Sequence, residues 1–139
     1  DASSPVLVRN VDEPTRQLFQ AQHGGVLADG SFNGCPVLFS VPAGKTLVVQ
    51  HVTVNGNAPS GQDLIVSLNI TNGTNADYVD HIVDVHRLSA GSIFFIASQP
   101  LTAYGAAESQ VCLAVRRFSG GSGIINVGLS VAGYLIPAP

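Results

Sequence analysis

Thr46-Leu47-Val48-Val49-Gln50-His51-Val52-Thr53-Val54-Asn55 is the stretch from which the fold can be read. Its β-branched residues lose rotamer freedom in a helix but fit a pleated surface. With side chains alternating, Val48, Val52 and Val54 fall on one face and Leu47, Val49 and His51 on the other. Both faces are largely apolar, so the segment predicts a central strand. Pro42-Ala43-Gly44-Lys45 supplies a turn before it, and Asn55-Gly56 is a turn pair at its end.

Strand-sized apolar segments continue on both sides. Val6 to Val11 alternates ahead of a turn at Asp12-Glu13-Pro14. Gln17 to His23 reads as a strand, against a short helix capped by Asp12 and started by Pro14. Pro36 to Val41 follows Cys35, and Leu64, Val66, Leu68 and Ile70 alternate with polar or small neighbours. Val79, His81, Val83 and Val85 oppose Asp80, Ile82, Asp84 and His86. Ser92 to Ser98 is a dense apolar run. Val111, Leu113 and Val115 oppose Cys112, Ala114 and Arg116, and a closing strand begins at Ile125 and runs on to Leu135. Asp29-Gly30, Asn33-Gly34 and Asn72-Gly73 tolerate the positive φ of tight turns. Eight or nine strands without an amphipathic helix predict an all-β, jelly-roll-like antiparallel sandwich of two sheets. An immunoglobulin-like sandwich is the runner-up, although the chain has no Trp to pack on a disulfide. No linker or repeat divides residues 1–139, which form one domain, with residues 1–10 as an N-terminal arm or edge strand. The arms Asp1 to Pro5 and Pro137 to Pro139 would dock either on their own domain or on a neighbouring subunit, in the latter case by adding a strand.

Only 11% of the residues are charged, against about 25% in a typical domain. Polarity comes from Ser, Thr, Asn and Gln, which leaves a hydrogen-bonding but nearly uncharged surface. Six Lys and Arg at a net charge of −3 make no basic stripe for phosphate backbones. Nucleic acid is therefore not an expected partner. No apolar run approaches the roughly 18 residues of a membrane span, so membrane insertion is not expected either. Low charge also removes the repulsion that keeps proteins apart, which points to a homo-oligomer or polymer.

The chain starts Asp1-Ala2-Ser3-Ser4-Pro5, as a secreted or cell-surface protein would after removal of its signal peptide. Cys35 and Cys112, the two cysteines, then predict one disulfide, with a pair of buried free thiols as the alternative.

Four segments together resemble a group of uncharacterised bacterial exported proteins. They are Val8-Arg9-Asn10-Val11-Asp12-Glu13-Pro14, Phe39-Ser40-Val41-Pro42-Ala43-Gly44-Lys45-Thr46-Leu47, Ser98-Gln99-Pro100-Leu101 and Ser130-Val131-Ala132-Gly133-Tyr134-Leu135-Ile136. The resemblance implies a bacterial envelope or extracellular setting and a sandwich fold. It brings no catalytic residues.

Candidate sites are sparse, and no cofactor or metal is expected. Asp80, Asp84 and His86 share one strand face, but Asp80 and Asp84 would stand some 13 Å apart, too far to share an ion without a bend. A solvated outer face is the expected reading, and His81 reads as a core or interface histidine. No Ser lies in a Gly-x-Ser-x-Gly elbow, and Gly120-Gly121-Ser122-Gly123 reads as a turn. Glu13 and Glu108 select no carboxylate pair. Arg116 and Arg117 point to opposite faces, so a structural role is expected, with one pairing an Asp such as Asp84. Asn69-Ile70-Thr71 and Asn72-Gly73-Thr74 match the N-glycosylation pattern. Tyr78, beside Asn75 and Asp77, and then Tyr104 are the candidate aromatic platforms for a glycan.

These features predict a non-catalytic assembly subunit that self-associates through a low-charge β surface. A glycan-binding module is the first alternative and a small secreted hydrolase the second.

Overall fold

In the computed structural model, which describes residues 16–71, 78–89, 91–118 and 122–139, the alternating segments form nine β-strands. They are β1 (Gln17–Leu27), β2 (Asn33–Ser40), β3 (Lys45–Asn57), β4 (Leu64–Thr71), β5 (Tyr78–Val83), β6 (His86–Arg87), β7 (Phe94–Gly105), β8 (Gln110–Arg117) and β9 (Ile125–Pro137). One sheet has the order β1-β9-β3-β7-β6 and the other β2-β8-β4-β5. All pairs are antiparallel. β1 pairs with β9, β2 with β8, β3 with β7 and β4 with β5, so the chain is a nested set of hairpins rolled into two sheets. This is the jelly-roll arrangement.

The core lies between the sheets. Leu47, Val49, Val52 and Val54 of β3 and Ile125, Leu129 and Val131 of β9 meet Val66, Leu68 and Ile70 of β4 and Val111, Leu113 and Val115 of β8. Alternation accounts for most of this: in β9 the odd-numbered residues from Ile125 to Leu135 are buried and the residues between them are not.

β3 departs from simple alternation. Leu47 and Val49 were expected opposite Val52 and Val54, yet all four are fully buried. The cause is a register shift between Val49 and His51 on both of its ladders. Against β9 the strand carries one extra residue, Gln50, which restores the phase for Val52 and turns His51 to the outer face. Two neighbours fit this irregularity. A Cβ on Gly133 would stand 1.9 Å from the Val48 carbonyl oxygen, so only glycine fits there. Pro100 pairs with His51, where the disturbed ladder tolerates a residue without an N–H. β7 therefore continues through Pro100 to Gly105, beyond the strand end expected at Ser98.

The segment expected as one strand from Val79 to His86 is divided between the sheets. β5 pairs with β4 and β6 pairs with β7, with Asp84 and Val85 at the crossing. Gln99 holds this corner: its Oε1 accepts from Asp84 N at 2.9 Å and its Nε2 donates to Ile82 O at 3.2 Å.

Gln17–Leu27 is strand and not helix. At the other terminus Ala138 N donates to Gly44 O at 2.9 Å, which docks the chain end on its own domain. Residues 1–10, the expected arm, lie outside the described residues.

The β7–β8 turn contains Glu108 at φ 65, the left-handed region in which a Cβ is unfavourable. Its N–H donates to Val41 O at 3.1 Å and fixes it there. Glu108→Gly is expected to stabilise the protein by about 0.5–1 kcal/mol, read as a higher urea midpoint with unchanged slope.

Candidate functional site

Strand pairing defines rows of side chains across the outer face of the five-stranded sheet. Leu18, Tyr134, Val48 and Tyr104 form one row. Gln20, Ala132, His51 and Pro100 form the next, followed by Gln22, Ser130, Thr53 and Ser98. Gly24, Gly128, Asn55 and Ile96 come next, and then Val26, Asn126, Asn57 and Phe94. No Asp, Glu, Lys or Arg occurs in these five rows. Arg16 lies at the fringe, its guanidinium carbon 4.4 Å from the Tyr134 ring centroid.

The middle rows bond laterally. His51 Nε2 and Ser98 Oγ are 2.8 Å apart, and Thr53 Oγ1 is 3.3 Å from the same hydroxyl. Asn126 Nδ2 donates to Asn57 Oδ1 at 3.0 Å. An open depression of about 410 Å³ lies over Gln20, Gln22, His51, Thr53 and Ser130. Both ends of the face are apolar: Leu18 and Tyr104 are exposed at one, Val26, Phe94 and Ile96 at the other.

The His51–Ser98 pair has the spacing of a base and nucleophile. Acyl transfer also requires donors aimed at a developing oxyanion. On a sheet face the backbone N–H groups lie in the plane of the sheet, pointing along the ladder and not up at the side chains. The pair adds hydrogen-bonding groups to the polar rows of this face. Sequence reasoning missed it because the two residues are 47 positions apart and the bulge in β3 reverses the face of His51.

Two arginines organise the loops at one end of the sandwich. Arg117 is 1% exposed and gives its donors to Ser31 O at 2.6 Å, Ala28 O at 2.9 Å, Gly123 O at 2.8 Å, Ser122 O at 3.1 Å and Gln62 Oε1 at 3.3 Å. Arg87 does the same for the carbonyls of Ala58, Pro59, Gln62, Ser92 and Ile93. Among the described residues carbonyl oxygens, not carboxylates, receive the donors of both cations. The expected pairing with Asp84 does not occur, since Asp84 Oδ2 lies 3.3 Å from His86 Nε2. Arg116 points outward from the opposite sheet face, as alternation requires.

The other sequence candidates are dispersed. Tyr104 is 65% exposed on the outer face of the five-stranded sheet. Tyr78 begins β5 in the other sheet, opposite Thr71, so the two tyrosines form no common platform. The side chain of Tyr78 lies outside the described residues, as do Asn72, Asn75 and Asp77. Asp80 is on the outer face of the four-stranded sheet, whereas Asp84 and His86 are at the corner between sheets. His81 is half-buried opposite Leu68. Asn69 stands in β4 and accepts a hydrogen bond from Ser67 Oγ at 3.2 Å. Among the described residues no group of three or more His, Cys, Asp or Glu could hold a metal, and no helix is long and apolar enough to cross a membrane.

Cys35 and Cys112 form the expected disulfide. It bridges β2 and β8 on the outer face of the four-stranded sheet, with Cys35 exposed and Cys112 buried.

No family model matches the chain, and neither does any curated protein. Among solved structures it is similar to a chain of the acid-stable capsid of Helicobacter pylori bacteriophage KHP30, with 16% identity, a TM-score of 0.43, and 88% of this chain and 94% of that chain covered. The Drosophila NLP core, whose structure concerns pentamer formation and histone binding, is similar at 17% identity and a TM-score of 0.33, with 83% and 97% covered. The VP2 subviral particle of infectious bursal disease virus gives 15% identity and a TM-score of 0.34 over 89% of this chain and 42% of that one.

Proposed function

We propose that this chain is a non-catalytic structural subunit that self-associates through the outer face of its five-stranded sheet. The observation that carries the reading is the absence of formal charge from all five rows of that face. A surface of amides and hydroxyls, which both donate and accept, can meet its own copy without like-charge repulsion. Four strands about 4.8 Å apart and nine residues long at about 3.4 Å each give a face on the order of 600 Å². Two such faces together reach the roughly 1,200 Å² at which specific interfaces begin. The disulfide supports an oxidising compartment, hence secretion or display at a cell surface, and a bacterial envelope fits the sequence resemblance.

Sedimentation velocity at tens of micromolar is expected to show a particle heavier than the 14.3 kDa chain. Ser98→Arg with Ser130→Arg places two cations in the middle of the face and is expected to return it to single chains. A wild-type protein that sediments as single chains rules the reading out. Glycan binding, favoured by the exposure of Tyr104 beside the polar rows, then takes its place if an array gives a hit that Tyr104→Ala removes.

A further inference from the structure

The outer face of the four-stranded sheet carries both signs of charge. Ala114 and Ser67 pair across β8 and β4, and their small side chains floor a depression of about 400 Å³. Ile65 and Ile82, both exposed, line it. Arg116 stands beside Ile65, and Asp80 stands beside Asn69 on the far side. Four residues along the strand and two strands across place their Cα atoms roughly 16 Å apart, so they do not pair with each other.

Both charges retain binding capacity. The Arg116 guanidinium takes no hydrogen-bond or ion-pair partner among the described residues, unlike those of Arg87 and Arg117. Asp80 Oδ1 accepts from Ser67 Oγ at 3.4 Å, a hydroxyl shared with Asn69 Oδ1 at 3.2 Å. One hydroxyl proton serves one acceptor at a time, which leaves the carboxylate open to a cation. The volume falls within the range of small-molecule pockets.

We propose that this depression binds a short zwitterionic peptide. Its terminal carboxylate meets the Arg116 fork, whose planar donors match that group. Its ammonium meets Asp80, and an apolar side chain lies between Ile65 and Ile82. A dipeptide spans about 7 Å, which fits between the ends of the two charged side chains. A neutral sugar would leave both charges unanswered.

The test is an amide-resolved NMR titration of the oxidised protein with the free dipeptide alanyl-leucine. Shifts are expected at Ser67, Asn69, Ile82 and Ala114, saturating with a dissociation constant of about 1 mM, as suits a ligand of this size. Arg116→Gln and Asp80→Asn are each expected to weaken binding about ten-fold or more, with unchanged thermal midpoints. Asn at position 80 keeps an acceptor for Ser67, so the local fold is retained. The N-acetylated, C-amidated peptide is expected to leave the spectrum unchanged. The absence of shifts at about 20 mM free peptide, equal binding of the blocked peptide, or undiminished binding by both variants each overturns the proposal. It stands independently of self-association, which is read by mass.

Discussion

Urea denaturation of Arg117→Met is expected to show a loss of about 3–5 kcal/mol, out of the roughly 5–15 kcal/mol that holds a domain of this kind folded. Methionine keeps the apolar stem and removes the guanidinium, so the loss isolates the polar head. The cation is 1% exposed, and the carbonyls of Ala28, Ser31, Ser122 and Gly123 receive its donors. Without it these carbonyls must find water in a space built for a planar cation, or the loops must open. Arg117→Lys is expected to recover only part of the loss, because an ammonium has three donors and no fork. Amide exchange should accelerate first at residues 28–32 and 122–124. A loss below about 1 kcal/mol would mean that water replaces the guanidinium at little cost, and the clamp would cease to be a determinant of this end of the fold.

Removal of the disulfide by Cys35→Ser with Cys112→Ser is expected to cost about 4 kcal/mol, because the link closes a loop of 77 residues in the unfolded chain. Its position adds a local consequence. β2 is an edge strand whose ladder runs to β8, and that ladder is interrupted between Gly34 and Val37. Cys35 lies within the interruption, so the covalent link stands where hydrogen bonds are missing. The remaining attachment of β2 includes Phe39, whose ring lies 5.0 Å from that of His23 and 6.3 Å from that of Phe19 in β1. Exchange at Val37 to Ser40 should therefore rise before the rest of the sheet opens, and the denaturant slope should increase as the unfolded state expands. A loss below about 1 kcal/mol with an unchanged slope would contradict both expectations.

Strands were legible in the sequence wherever a period of two ran unbroken, as in β4, β8 and β9. The disulfide was legible from cysteine count and setting, and the low charge of the surface from composition. What escaped were the places where one residue changes the phase. Nothing in Val49-Gln50-His51 announces an extra residue, because valines on both sides satisfy either face. The crossing at Asp84 and Val85 was hidden for a similar reason: alternation continues through it while the pairing partner changes. Arg117 looked like one half of a surface pair, since its role depends on loops that only the rolled chain brings around it. The uncharged outer face of the five-stranded sheet was legible in kind, from composition, but not in place. Each of its rows gathers residues from four strands, and strand order is a property of the whole topology.

The last strand of the chain is wedged between the first described strand and the third. β9 separates β1 from β3, and among the described strands β1 has no other ladder partner. During synthesis the ladder between β1 and β9 must wait for residues 125–137. Such distant pairing slows folding to the millisecond-to-second range. Until then two long strand edges stay open to the wrong partners. The order of strands thus makes closure of the five-stranded sheet a late event in folding.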